Sequence, residues 1–188
     1  MPRASVRWIV GVWWTVATVV SLTAAMAVNP VWGQVVGPAT LGITQWLVLR
    51  QHIPKAGWWI LATTLGGVVA LYLGSAVSFF TTSILWIGSG VVGGAVGGAI
   101  LGLAQWLVLR RHVSQAGWWI AASAVALAVG AGWLVYLGIE SAFTFDASMD
   151  LIQIIRWSGM GALSGAIGGA IKGGALVWLL RQPKQRDL

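Results

Sequence analysis

The chain has 188 residues, of which 58% are hydrophobic and only 8% are charged. Soluble domains carry roughly a quarter of charged residues, so this composition excludes an ordinary soluble domain and predicts an integral membrane protein. The formal net charge of +7 is scattered between apolar runs. We therefore predict contacts with anionic lipid headgroups and no nucleic-acid partner.

A helix that crosses a bilayer needs about 20 mostly apolar residues. The sequence offers six such runs, near residues 8–28, 31–49, 57–79, 84–109, 117–139 and 157–180. Arg3, Arg7 and Ala25-Met26-Ala27 suggest a signal peptide, but the apolar run between them is long for one. We predict an uncleaved first span. In the second run we expect Pro38 to kink the helix without breaking it.

The distribution of Lys and Arg predicts the orientation of the spans. Nine of the eleven cations fall on one side: Arg3, Arg7, Arg50, Lys55, Arg110, Arg111, Arg181, Lys184 and Arg186. We therefore predict that both termini face the cytoplasm. The loops near 29–30, 80–83 and 140–156 would then lie on the opposite side.

An internal repeat is the clearest pattern in the chain. Residues 41–60 and 101–120 are identical at 14 of 20 positions. A third copy follows at an offset of 71 residues, where Trp86, Gly88 and Arg110 match Trp157, Gly159 and Arg181. The repeating unit is two helices, so successive copies run in the same direction.

This pattern predicts an all-α integral membrane protein with six transmembrane helices, arranged as three parallel two-helix repeats in a single membrane domain. The units cover approximately residues 1–50, 51–110 and 111–188. A pseudo-threefold ring is the simplest arrangement, and a linear stack is the alternative.

Glycines recur at every fourth position in two of the predicted spans. They are Gly90, Gly94, Gly98 and Gly102, and then Gly161, Gly165, Gly169 and Gly173. Small residues at this spacing let membrane helices approach closely, so we predict helix packing. The alternative is a bare face for a flat ligand, such as a pigment ring or a lipid tail.

Tryptophans concentrate near the ends of the predicted spans. Those expected at the cytoplasmic ends are Trp46, Trp58, Trp59, Trp106, Trp118, Trp119 and Trp178, and those at the other face are Trp32, Trp86 and Trp157. Indole rings favour the headgroup level, and we expect most of these side chains to anchor the protein there.

Three of the polar side chains inside the spans are candidates for a special role. Gln45 and Gln105 are equivalent in the repeat, which favours hydrogen bonds between helices over the alternative of lining a pore or a ligand site. Lys172 lies nine residues before Arg181. We expect its ammonium group to reach cytoplasmic headgroups, with a substrate or cofactor contact as the alternative.

His52 and His112 are also equivalent, and we expect both in solvated turns. A pair of histidines can ligate a chlorophyll or haem, which is the alternative. We predict no enzyme, because Ala162-Leu163-Ser164-Gly165 lacks the first glycine of a rhomboid-type nucleophile motif and no histidine lies at span depth. No metal or obligatory cofactor is expected; chlorophyll, carotenoid or lipid remain candidate ligands.

The Gln45–Arg50 segment, repeated at Gln105–Arg110 and followed by Ala-Gly-Trp-Trp, resembles an uncharacterised family of multi-pass membrane proteins from cyanobacteria and related bacteria. Its glycine-rich spans end in Gln-Trp-x-x-Leu-Arg. The resemblance covers residues 33–182 and implies a bacterial plasma or thylakoid membrane, without implying an activity. The third copy departs from it, with Leu176 and Val177 at the Gln-Trp positions.

Three functions remain open from the sequence. The favoured one is a non-catalytic accessory or assembly subunit that binds other membrane proteins within a larger complex, photosynthetic or of another kind. The second is a transporter or channel for a small neutral or anionic solute, lined by Lys172 and the two glutamines. The third is binding of a pigment or a lipid on the glycine faces.

Overall fold

The computed structural model describes residues 3–27, 30–136 and 151–182. Within these ranges the chain forms helices and turns, with no strand. The helices are α1 (Arg3–Ala27), α2 (Pro30–Leu49), α3 (Trp58–Thr82), α4 (Trp86–Leu109), α5 (Trp118–Tyr136) and α6 (Leu151–Arg181). The expected all-α class is therefore confirmed for the described residues.

The helices differ from their predicted bounds by up to six residues at their ends, and α3 continues to Thr82, within the loop expected at 80–83. Helix α6 begins at Leu151, six residues before the predicted start of the last span, because residues 151–155, which are aliphatic except for Gln153, continue the helix. Part of the loop expected at 140–156 is thus helical, and residues 137–150 lie outside the described ranges. Helix α2 runs without interruption through Pro38.

The long helices have the length and composition of membrane spans. Within the described ranges, four satisfy both criteria, namely Trp8–Ala27, Trp58–Thr82, Gly88–Leu109 and Leu151–Arg181, and a shorter apolar helix covers Trp118–Gly132. Large apolar side chains on their outer faces are exposed, for example Leu65 and Phe79 at 65% and 77%. An exposed apolar belt of this kind needs lipid around it, so this is a membrane protein.

The helices are arranged in a closed ring. Each packs against its neighbours in the chain, and α6 returns to pack against α1. The odd-numbered helices contribute one buried tryptophan each to the centre of the ring, at the end where the turns 50–57 and 110–117 lie. The turns and the ring together determine which side chains meet at the centre.

Glycines allow the closest helix contacts in the ring. On α4, Gly94, Gly98 and Gly102 lie directly against the α5 backbone around Ile120, Ser123 and Leu127. On α6, Gly161, Gly165, Gly169 and Gly173 lie against α1 between Gly11 and Leu22. A side chain at any of these positions would meet backbone atoms, so residues other than glycine would separate the helices. Gly90 is buried in α4.

The two turns at this end of the ring are built alike. His52 and Ile53 donate backbone hydrogen bonds to the Leu49 carbonyl, and the equivalent residues of the second turn do the same to Leu109. Lys55 and Gln115 hold equivalent positions with φ of 57° and 59°, a conformation that costs free energy in a non-glycine residue. The repeated sequence therefore produces a repeated backbone.

Candidate functional site

Three tryptophan rings meet at the centre of the helix ring. Trp14, Trp59 and Trp119 are each 0% exposed. Their ring centroids lie 5.4 to 5.9 Å apart, and the rings meet edge to face, the arrangement that aromatic quadrupoles favour. The expectation that Trp59 and Trp119 anchor the protein in the headgroup layer is therefore wrong. Their neighbours Trp58 and Trp118 are the exposed members of each pair.

Gln45 connects three consecutive helices through its amide group. Its Oε1 accepts a hydrogen bond from Trp59 Nε1 on α3 over 3.2 Å, and its Nε2 donates to Thr18 Oγ1 on α1 over 3.4 Å. The side chain is 0% exposed. A buried amide without partners is costly, and these bonds offset that cost while joining α2 to both neighbours.

Gln105 makes the equivalent bonds one repeat later. Its Oε1 accepts from Trp119 Nε1 on α5 over 2.9 Å, and its Nε2 donates to Thr63 Oγ1 on α3 over 2.9 Å. Nε2 also lies 3.5 Å from Gln45 Oε1, so the two amides contact each other. The interhelical role that the repeat predicts for both glutamines thus has a direct structural counterpart.

Lys172 points into this cluster and not toward the headgroups. It is 4% exposed, its Nζ donates to Gln105 Oε1 over 2.8 Å, and Nζ lies 4.9 Å from the Trp119 ring centroid. We expected the ammonium group to extend to the membrane surface. The amide oxygen and the indole face stabilise it inside instead, as an acceptor and a cation–π partner.

The third copy of the repeat has no glutamine at this level. Leu176 stands at the position of Gln45 and Gln105, and it is 0% exposed. A third amide there would be expected to accept from Trp14 Nε1 and donate to Ser123 Oγ. Those two atoms are buried without a hydrogen-bond partner. Lys172 Nζ makes the bond to Gln105 Oε1 that the missing Nε2 would make.

The two histidines lie apart from the central cluster. His52 is exposed and His112 is half-buried, each in its turn. Each Nδ1 lies within hydrogen-bonding distance of a helix carbonyl oxygen, Val48 at 3.1 Å and Val108 at 3.0 Å. These contacts tie each imidazole to the last turn of the helix before it, α2 for His52 and α4 for His112.

Arginines at the same end of the ring lie over tryptophan rings. Arg50 and Arg110 stack on Trp46 and Trp106 at 5.3 and 4.9 Å, and Arg181 lies 5.7 Å from the ring centroid of Trp8. Paired cations and indoles are typical of the interfacial layer. This end of the bundle therefore has the side chains of a membrane surface.

The chemistry available in the described residues is narrow. Across 3–27, 30–136 and 151–182 no three His, Cys, Asp or Glu side chains cluster as metal ligands would. All four acidic residues of the chain lie outside those ranges. The central cluster combines amides, indoles, hydroxyls and one ammonium group. These side chains can bind and orient a polar partner through hydrogen bonds.

No protein-family model matches the chain, and no curated protein or solved structure matches it either.

Trp14 is a member of the central cluster that the sequence analysis did not name, although the repeat pattern contains a signal for it. Trp13-Trp14 corresponds to Trp58-Trp59 and Trp118-Trp119, and a hydroxyl residue follows four positions after the second tryptophan in each case. Those hydroxyl residues are Thr18, Thr63 and Ser123. The Trp-Trp doublet marks the first helix of each unit. It does so even in the first unit, where the doublet lies outside the long match between residues 41–60 and 101–120.

Proposed function

We propose that this chain is a non-catalytic membrane protein that acts as an accessory or assembly subunit of a larger membrane complex. The observation that carries the proposal is that Gln45, Gln105 and Lys172, the polar residues best suited to chemistry in the spans, bond to one another and to indoles. Their shared role is then to hold the helices in one arrangement. Function would lie on the outer surface.

The proposed membrane arrangement is six spans in a pseudo-threefold ring of three parallel two-helix units. The Trp14–Trp59–Trp119 cluster supports the threefold relation, since each unit supplies one ring. The paired turns support it as well. Helix α2, although less apolar, spans with the others because it packs between α1 and α3.

The proposed location is a bacterial plasma or thylakoid membrane, with both termini in the cytoplasm. Arg50, Arg110 and Arg181 stack on indoles at one end of the bundle, which supports placing that end on the cation-rich, cytoplasmic side. The resemblance to multi-pass proteins of cyanobacteria supports the choice of membrane.

A wide apolar exterior supports lateral association with other membrane proteins. Exposed side chains include Phe79 and Phe80, whose rings meet edge to face 5.7 Å apart at one end of α3. Rigid aromatic side chains of this kind are enriched at contact surfaces between proteins. Because side chains fill the centre of this small ring, its outer faces are the main surface on which it can bind a partner protein.

Extraction of a chromosomally tagged chain in digitonin, followed by native electrophoresis, tests the proposal. We expect one discrete assembly much larger than the 19.8 kDa chain. Phe79→Ala/Phe80→Ala should weaken the assembly, whereas the Leu65→Ala control on the same helix should leave it intact. A lone, monodisperse particle would contradict an accessory role.

Transport of a small neutral or anionic solute is the second candidate, and Lys172 favours it because a buried ammonium group often marks a substrate path. Purified protein in liposomes would show solute flux that Lys172→Leu abolishes. Pigment or lipid binding on the glycine faces has less support, since α1 and α5 cover the faces of α6 and α4. A copurifying visible absorption band would favour a pigment.

A further inference from the structure

Two equivalent arginines, at the ends of α2 and α4, lie over indole rings. The guanidinium carbon of Arg50 lies 5.3 Å from the ring centroid of Trp46, and that of Arg110 lies 4.9 Å from the ring centroid of Trp106. In each pair the tryptophan comes four residues before the arginine, so both side chains lie on one face of the helix. The cation–π contact holds a long side chain in one orientation.

The third unit keeps this pair, although the repeated sequence departs there. Val177 stands at the position of Trp106, and it is buried. Arg181, at the position of Arg110, still lies over an indole, because Trp8 of α1 supplies the ring at 5.7 Å. A different helix thus restores the pair where the repeat lost its tryptophan. We therefore attribute a role to the Arg–Trp pair itself.

The guanidinium groups of these pairs have N–H donors to spare. A guanidinium group carries five N–H donors, and an arginine near a helix end often donates to the last carbonyl groups. Within residues 3–27, 30–136 and 151–182, Arg50, Arg110 and Arg181 make their indole contacts without a hydrogen bond or an ion pair. Their donors are therefore available to a group outside the chain.

An exposed apolar side chain lies three residues before each of these arginines. Leu47 and Leu107 are 44% and 48% exposed, and Trp178, at the equivalent position of α6, is 41% exposed. Side chains three residues apart are neighbours on a helix surface, so each guanidinium group has exposed apolar surface beside it. A soluble anion would use only the guanidinium group, whereas a phospholipid would use both, through its phosphate and its acyl chain.

We propose that each Arg–Trp pair binds the phosphate of an anionic phospholipid, such as phosphatidylglycerol, so that three of these lipids contact this end of the ring. The planar guanidinium group matches two phosphate oxygens. The residues that the structure describes include no carboxylate to compete for it. The negative headgroups complement the three cations. The proposal rests on the placement of this end in the cytoplasmic leaflet, given above, and is independent of the accessory role.

Native mass spectrometry of the purified chain in detergent tests these sites. Phosphatidylglycerol should give a series that stops at three retained lipids, whereas phosphatidylcholine should be lost at the same collision energy, because its own ammonium group opposes the guanidinium group. Arg110→Gln should weaken one site about fivefold, so that two lipids remain where the unaltered chain retains three. Arg111→Gln is the matched control, because Arg111 is the adjacent exposed cation and has no indole contact within the described residues. It should retain three.

Trp8→Leu separates the pair from its charge. It removes the ring under Arg181 without changing the net charge, and because Trp8 is exposed the fold should persist. We expect one weakened site. Sodium phosphate at constant ionic strength should not displace the lipid. Displacement by phosphate, equal retention of the two lipids, or equal losses from Arg110→Gln and Arg111→Gln would overturn the proposal. The assembly in digitonin is measured separately, so either proposal can fail without the other.

Discussion

Gln45 and Gln105 occupy the same position in two copies of the repeat, and Gln105 Nε2 donates to Gln45 Oε1 across 3.5 Å at the centre of the helix ring. Through these two amides and their partners, side chains from all six helices are linked: Thr18, Thr63, Trp59, Trp119 and Lys172 complete the set. Inside a membrane the hydrophobic effect does not drive helices together, so contacts of this kind specify the arrangement.

The two glutamines should not contribute equally to stability. Gln105→Leu removes the acceptor for both Lys172 and Trp119. Gln45→Leu removes the acceptor for Trp59, while the other two partners of Gln45, Gln105 and Thr18, keep a second hydrogen bond each. We expect a loss of about 2–4 kcal/mol for Gln105→Leu and about 1–2 kcal/mol for Gln45→Leu. Reversible unfolding in mixed micelles measures both. Equal losses would show that Lys172 does not depend on Gln105.

The third position of the amide cluster can be filled by mutation. Leu176→Gln should give Trp14 Nε1 an acceptor and Ser123 Oγ a donor, both of which are now unpaired. We expect the free energy of unfolding to rise by about 1 kcal/mol or to stay unchanged. Leu179→Gln is the matched control, since Leu179 is also buried, and it should destabilise by about 1–3 kcal/mol. Similar losses in both variants would refute the threefold equivalence.

Replacing tryptophans by phenylalanine separates ring packing from hydrogen bonding. Trp14 Nε1 has no partner, whereas Trp59 Nε1 donates to Gln45. Trp59→Phe should therefore cost about 1 kcal/mol more than Trp14→Phe, because both lose the same ring area and only one loses a bond. The same unfolding measurement applies. A larger loss for Trp14→Phe would indicate that its indole N–H is bonded in the membrane.

One added methyl group distinguishes the close helix contacts from the open ones. A Cβ at Gly98 would overlap the Ser123 carbonyl oxygen, whereas a Cβ at Gly174 meets nothing within 4 Å. Gly98→Ala should destabilise by about 1–3 kcal/mol. Gly174→Ala should be neutral or slightly stabilising, since it removes only backbone freedom. Yield and Tm of the two purified variants suffice, and comparable Tm values would rule out the close approach of α4 and α5.

Much of the helix arrangement follows from the sequence because it depends on period and composition. The apolar runs gave the helices, and the equivalence of Gln45 and Gln105 indicated a shared structural task. The orientation of each tryptophan within a Trp-Trp doublet does not follow from period and composition. Trp58 and Trp59 have the same composition and location, and only the packing of neighbouring helices turns one outward and the other inward.

The prediction that the Lys172 ammonium group reaches the headgroups is wrong for a related reason. A lysine near a helix end reaches the headgroups by default, and no acid in the sequence lies at its depth to draw it inward. Its partners are an amide oxygen on α4 and an indole face on α5. Neither the amide oxygen nor the indole face carries a formal negative charge, so the sequence does not mark either of them as a partner for a lysine. Their combination at one point depends on how α4 and α5 pack around the centre of the ring beside α6.

Closure of the ring is the central claim, and disulfide cross-linking between the first and last helices tests it most directly. The chain contains no cysteine, so an introduced pair is read without interference. A Cβ at Gly11 would lie 3.0 Å from Val177 Cγ2, within reach of a disulfide. Gly11→Cys/Val177→Cys in native membranes should cross-link within one chain on mild oxidation, and Gly11→Cys/Leu61→Cys should not. Absence of the first cross-link, with both cysteines reactive in alkylation, would contradict the ring and favour a linear stack of helix pairs.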